Sequence, residues 1–313
     1  MSFSQSIKMS LLSLICLQCC CLTSIAQKKA DTTSYVQTLH IVTGKIDTVL
    51  VANGDFEAPN WHPDNYLLMN FRGKMYTLNL LSKKLSEVNT GTLNHLMDDH
   101  GISPDGKYFA LTDFDSSSHV MQEWKFNIYT VPATGGEPKK LTNGNLSFWH
   151  GWSPDGKTIA YCGGENFSNL DVYTIPAAGG TPKRLTDTEG LDDGPEFSPD
   201  GRYIYFHSYR TQHMQIWRMN NDGSNPEQMT FDENSNWFPH LSPDNKWMAY
   251  IAYTSDEKQN HPFGKNVKLR LMNLMTKEIS DLTPIFFGGA GTINTPSWSP
   301  DSKHIAFVSY SVK

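Results

Sequence analysis

Three histidines carry the first hint of chemistry. His100, His150 and His240 each stand just ahead of a Ser-Pro-Asp tripeptide, at equivalent places in three repeats. Imidazoles brought together from separate repeats can hold one divalent metal ion, with Glu196 or an aspartate as the oxygen ligand. The same four residues, His100, His150, Glu196 and His240, are the candidate catalytic groups, because imidazole and carboxylate side chains are common proton carriers. Asp98, Asp99, Asp192, Asp193, Asn236 and Asn294 stand beside them as candidate binding groups, and Trp149 and Trp237 would serve as stacking platforms for a sugar ring. Arg210, His213 and His261 are placed to reach inward from other loops. Each residue also has a structural reading. A histidine beside a turn is commonly a satisfied structural group, Asp and Asn near strand starts cap turns, and the tryptophans suit packing between repeats.

These residues need a scaffold that gathers distant parts of the chain. The tetrapeptide His62-Pro63-Asp64-Asn65 returns as Ser103-Pro104-Asp105-Gly106, Ser153-Pro154-Asp155-Gly156, Ser198-Pro199-Asp200-Gly201, Ser242-Pro243-Asp244-Asn245 and Ser299-Pro300-Asp301-Ser302. Ser suits the first position of a type I turn, Pro presets φ at the second, and Gly or Asn accepts the left-handed conformation at the end. Strand-like runs follow, such as Tyr108-Phe109-Ala110-Leu111 and Tyr203-Ile204-Tyr205-Phe206. A second half then repeats, in which Asn127–Val131 leads through Gly135-Gly136 to Lys140-Leu141-Thr142, and Asp171–Ile175 leads through Gly179-Gly180 to Arg184-Leu185-Thr186. Two hairpins per repeat predict four-stranded units.

Six turns predict six blades of an all-β propeller. After Asp301 too few residues remain for a whole blade, while Tyr35–Val42 and Asp47–Val51 flank Thr43-Gly44 near the start. The last blade is therefore expected to be closed by strands from both termini, which removes the open sheet edge. Loops ahead of the Pro-Asp turns would converge on one mouth of the central channel, where a ligand would bind. The Asp of each turn is assigned to the turn itself, and Cys162 to an apolar strand as an inert core residue.

The Ser-Pro-Asp-Gly-Lys-x-Ile-Ala-Tyr pattern at Ser153–Tyr161 and its variants resemble the Pro-Asp repeats of TolB-like propellers across about residues 35–313. The resemblance implies fold more strongly than function, since such propellers serve as protein-docking modules, as sugar-processing lyases and as appendages of peptidases. TolB itself carries a further N-terminal α/β domain. Oligogalacturonate lyases of this type have a His-rich, metal-assisted mouth that abstracts a sugar proton. Prolyl oligopeptidase-type enzymes add a hydrolase domain with G-x-S-x-G, a motif not found in this sequence.

Composition fits this reading: the 313 residues are 38% hydrophobic, 19% charged and 12% aromatic. Residues 1–26 read as a cleaved secretory signal, with Lys8, the apolar run Leu11–Leu22 and small residues Ser24 and Ala26 before the cut. Residues 27–34 then form a short linker and 35–313 the propeller. A lipoprotein anchor is a weaker reading, because no Gly, Ala or Ser precedes Cys16, Cys19, Cys20 or Cys21. Cleavage leaves Cys162 alone, so no internal disulfide can form. A formal charge of −6 without a basic stripe argues against nucleic acid, and no later segment is long and apolar enough to span a bilayer. No Walker loop, G-x-G-x-x-G or H-E-x-x-H is present. The expectation is a periplasmic or secreted monomer that docks a carbohydrate or an envelope protein at the channel mouth. The alternative is a carbohydrate-active lyase or hydrolase, with or without one divalent metal ion.

Overall fold

The computed structural model describes residues 31–115, 124–144 and 146–313. The segment read as a signal lies outside the described residues. Among the described residues every regular element is a strand, and no helix is long and apolar enough to cross a membrane.

The strands form six antiparallel sheets. Blade 1 runs Glu57–Trp61, Tyr66–Phe71, Lys74–Asn79 and Leu85–Glu87. Blades 2, 3 and 4 repeat that order from Leu96 to Lys140, Leu146 to Arg184 and Asp192 to Gln228, and blade 5 spans Ser235 to Asp281 with an added strand at Phe286–Gly288. Blade 6 joins the chain ends: Thr32–His40 pairs on one side with Ile46–Asn53 and on the other with His304–Val312. Its innermost place is taken by the segment before Ser299. This segment is held by the bridge Trp298–Ile305 and by Val308 and Ala306 N–H groups donating to Thr292 and Ser297. The first strand starts at Thr32, inside the stretch expected to be linker.

The repeats form for local reasons. In each serine-headed turn the hydroxyl donates to the Asp two residues on, at 2.7 Å in Ser103–Asp105, Ser153–Asp155, Ser198–Asp200 and Ser242–Asp244. The same oxygen accepts the N–H that opens the second strand, as from Tyr108 at 2.9 Å. In blade 1 His62 replaces Ser: its Nδ1 accepts Asp64 N–H, and its Nε2 lies 3.0 Å from the Gly106 carbonyl of the next blade. The Leu-Thr or Met-Thr pairs that end the second hairpin have a matching task. Thr142, Thr186, Thr230 and Thr283 accept N–H bonds from Ile128, Val172, Ile216 and Leu269 of the third strand. The outer strands of blades 2, 3 and 4 are two residues long and carry exposed Lys, Arg and Glu, which blunts those sheet edges.

The core lies between blades. Leu68 and Met75 of blade 1 pack with Phe109, Leu111 and Val131 of blade 2, and Ala110 and Ile128 pack with Trp149, Ile159 and Tyr161 of blade 3. Fully burying one such side chain contributes roughly 1.5–3 kcal/mol, so the blade-to-blade seams hold the ring together. The first strands of neighbouring blades also touch one another around the channel.

Candidate functional site

Most of the predicted mouth residues lie on the innermost strands themselves; Arg210, His213, His261 and Asn294 lie outside them. The strands Leu96–Ile102, Leu146–Trp152, Asp192–Phe197 and Ser235–Leu241 carry the others, and each strand has a bulge in its middle. The extra residue breaks the two-residue alternation, so polar side chains within one strand face different surroundings.

The three histidines therefore separate. Counted back from Ser-Pro-Asp, His100 and His150 share a position, whereas His240 lies one residue closer to the turn. His240 sits in a seam: its Nδ1 is 2.6 Å from Glu196 Oε2 and its Nε2 is 2.7 Å from the Ile293 carbonyl. Glu196 Oε1 accepts Leu241 N–H at 2.8 Å. This pair ties blades 4, 5 and 6 together and has no spare atom for a ligand. His100 is fully buried with Nε2 3.5 Å from Leu68 O, and burial pushes its pKa down to about 4, so it is neutral. The expected His100–His150–His240 metal set is thus not assembled.

Other candidates are also absorbed by structure. Asp192 accepts from Thr188 Oγ1 at 2.7 Å and from Arg210, whose guanidinium lies over Trp217 and Phe206. Asn236 donates to Gln215 and Asp232, and His213 Nε2 lies 3.1 Å from Asn234 O. Trp149 and Trp237 are buried, so neither is an exposed platform. Trp149 fills the space left by Gly101, where a Cβ would meet the indole at 1.8 Å. Trp237 packs against His207 and His261 with ring centroids 4.6 and 5.0 Å apart.

The remainder converge. Asp98, Asp99, His150, Asp193 and His261 line one cavity of about 370 Å³ with Phe148, Phe167 and Gln259. The wall comes from the first strands of blades 2, 3 and 4, and the rim from the loop 254–264 of blade 5 and the hairpin at Phe167. Asn294 braces this wall by donating to Asp98 Oδ2 at 2.8 Å. Asp193 is held in its place by three groups. His150 Nε2 is 2.8 Å from Oδ1, Gly194 N–H donates to Oδ1 at 2.6 Å, and His207 Nε2 stands 3.4 Å from Oδ2. Gly194 has φ of 65°, and a Cβ there would lie 2.6 Å from the His207 ring, so only glycine lets the backbone approach this closely.

The electrostatics of the two carboxylates diverge. Burial raises Asp99, and Asp98, Asp193 and Glu57 add to it, so its carboxyl lies well above the usual range. Burial also pushes Asp193 up, but His150 and His207 outweigh it and hold that carboxyl well below the usual range. Burial lowers His207 and His261. The cavity thus places a reluctant acid beside a stable carboxylate, and no Lys or Arg lines it.

Cys162 is buried on an apolar strand as the sequence implied, whereas His207 and the aromatic wall of Phe148 and Phe167 were not among the candidates. His207 is the cross-strand partner of Asp193, and Cys162 that of Phe148. That register was the available signal, but the bulges conceal it.

A six-bladed ring closed by both termini, with Pro-Asp turns at one end and a polar cavity at the other, defines a TolB-type propeller. The chain belongs to that family: the family model for the TolB beta propeller domain matches residues 100–293. It is 42% identical over 279 residues to the uncharacterised protein Atu1656 of Agrobacterium fabrum, spanning 88% of this chain and 92% of that one. It is similar to a solved TolB-candidate structure from Agrobacterium tumefaciens at 40% identity with a TM-score of 0.84, covering 90% of this chain and 99% of that chain. TolB from Acinetobacter baumannii shares the fold at 21% identity and a TM-score of 0.57, over 90% of this chain and 58% of that one.

Proposed function

We propose that the protein is an exported binding module whose mouth cavity receives an exposed segment of an envelope protein. The observation that carries this reading is the cavity wall of Asp98, Asp99 and Asp193, with no Lys or Arg among the described residues that line it. Burial and then the neighbouring carboxylates raise Asp99, and a cationic or N–H-rich tip entering the cavity would relieve the repulsion and gain charge-assisted hydrogen bonds. The volume suits one or two side chains, so the rest of a partner would spread over the rim. The test places a photo-crosslinking residue at Phe167, which is exposed at the rim, in cells that make the protein. The expected result is a crosslink to one envelope protein that disappears in Asp98→Asn/Asp99→Asn. Unchanged crosslinking in that variant would exclude the acidic wall as the recognition element.

A carbohydrate is the second reading. The rings of Phe148 and Phe167 stand 6.2 Å apart beside the carboxylates, an apolar face with adjacent acceptors that suits a sugar ring. Binding on an oligosaccharide array, lost in Phe167→Ala and without any protein crosslink, would favour it over the first. The metal-assisted form of the lyase or hydrolase reading called for His100 and His240 beside His150, and both are held elsewhere.

A further inference from the structure

Two residues of the cavity wall, His150 and Asp193, adjoin the buried Cys162 behind it, in a group that peptide or sugar docking does not require. His150 Nε2, Cys162 Sγ and an Asp193 carboxylate oxygen all lie within 4.8 Å of one another, and the three side chains are buried. Among the described residues this is the one such group of histidine, cysteine and carboxylate atoms. The His150 Nε2–Cys162 Sγ distance is 3.7 Å and the His150 Nε2–Asp193 Oδ1 distance is 2.8 Å. Ligands on a tetrahedral zinc ion, with bonds of roughly 2.0–2.3 Å, stand about 3.3–3.6 Å apart, so small side-chain rotations would open the set to an ion.

Two further observations point to an unfilled demand there. His207 is fully buried, its Nδ1 accepts Phe238 N–H at 3.2 Å, and its Nε2 has no hydrogen-bond partner while facing Asp193 Oδ2 at 3.4 Å. Its task would be to orient the carboxylate, as outer partners of metal ligands do. His261 lines the same cavity with an Nδ1 that also has no partner.

We propose that His150, Cys162 and Asp193 form a zinc-type transition-metal site at the wall of the mouth cavity. Its fourth position faces the cavity and His261. Thiolate, imidazole and carboxylate together select a borderline metal over calcium or magnesium. Binding is written as the ion entering, the Cys162 thiol proton leaving to solvent, and the His150 proton moving from Nε2 to Nδ1. This set shares only His150 with the histidine trio expected from the sequence, and it does not depend on which partner the cavity docks.

The test uses the purified protein without residues 1–26, in which Cys162 is the sole cysteine, freed of any affinity tag, stripped with chelator, kept reduced and titrated with Co²⁺ and then Zn²⁺. The expected result is about one ion per chain by elemental mass spectrometry, with a thiolate-to-cobalt charge-transfer band that Zn²⁺ erases. The band should vanish in Cys162→Ser, weaken at least tenfold in apparent affinity in Asp193→Asn, where a ligand is lost, and persist in His100→Gln. Failure of the wild type to bind either ion, or binding without the charge-transfer band, would overturn the site. So would a band that survives Cys162→Ser. Should Cys162→Ser fail to fold, the wild-type band and its erasure by Zn²⁺ decide the matter alone.

Discussion

Two buried histidine–carboxylate pairs sit on neighbouring inner strands and teach opposite lessons. Glu196–His240 uses every strong acceptor and donor it has: both carboxylate oxygens and both ring nitrogens meet partners within 2.6 to 2.8 Å. Asp193–His150 is equally buried, yet it adjoins a thiol, a second histidine with an idle nitrogen and an open cavity. A closed network of this sort fixes geometry, whereas one with spare coordination borders a place where something can bind. Glu196→Ala should therefore cost about 3 kcal/mol of unfolding free energy, because it strands buried polar groups in the seam. Asp193→Asn, which keeps the shape, should cost only about 1–2 kcal/mol. Urea unfolding of both variants checks the ranking, and equal losses would dissolve the distinction. The sign with pH is fixed by direction. A carboxyl held low when folded stabilises above the unfolded value near 3.9 and loses that contribution as acid protonates it. The deficit of Asp193→Asn should therefore close below about pH 4.

A second contrast lies within one seam. Gly101 faces the Trp149 ring where a Cβ would fall 1.8 Å from it, whereas Gly156, in the next Pro-Asp turn, would meet nothing nearer than 3.9 Å. Gly101→Ala should lose roughly 1–3 kcal/mol through overpacking between blades 2 and 3. Part of that should return in Gly101→Ala/Trp149→Leu, and a thermal melt of the double variant separates overpacking from a backbone effect.

The fold was legible in the sequence because its parts are local. Ser-Pro-Asp-Gly draws its own turn hydrogen bonds, and Leu-Thr closes its own hairpin, so each repeat announces itself within a dozen residues. The site was only half legible for the opposite reason. Asp98, Asp99, His150, Asp193 and His261 do share the cavity, but the bulges shift the face of each residue by one. His240 went into a seam, and Cys162 and His207 lie buried behind the wall as cross-strand neighbours of Phe148 and Asp193. Contacts such as Asn294–Asp98 join distant blades, and no spacing along the chain encodes them.

The two cavity carboxylates extend the first comparison. Asp193 is held low by histidines, whereas burial and neighbouring carboxylates hold Asp99 high. A carboxyl raised in the folded state costs stability once pH climbs past the unfolded value of about 3.9. Asp99→Asn should accordingly raise the thermal midpoint at neutral pH by a few degrees while weakening partner binding. That gain should vanish below about pH 4, where the unfolded carboxyl is also protonated. A variant no more stable than wild type at neutral pH would show that the cavity already solvates this charge.

The smallest expected effect lies at the opposite end of the channel, in the turns. Ser198 Oγ donates to Asp200 Oδ1 at 2.7 Å and accepts Tyr203 N–H at 3.0 Å, and Arg202 Nε donates to the other carboxylate oxygen. Burial raises the Asp200 pKa, but the hydroxyl and Arg202 outweigh it and bring the carboxyl down to about 2. Its contribution is therefore complete above about pH 4 and fades as pH falls toward 2. Ser198→Ala should cost about 1 kcal/mol near neutral pH and lift Asp200 toward the ordinary range, which flattens the acid side of the stability profile. Because the turns stand apart, Ser153→Ala should add to it almost linearly. Urea midpoints of the two single variants and the double decide this. A loss well beyond the sum would mean that the turns act as one cooperative rim, and that the end of the ring away from the cavity is as strictly coupled as the Glu196–His240 seam.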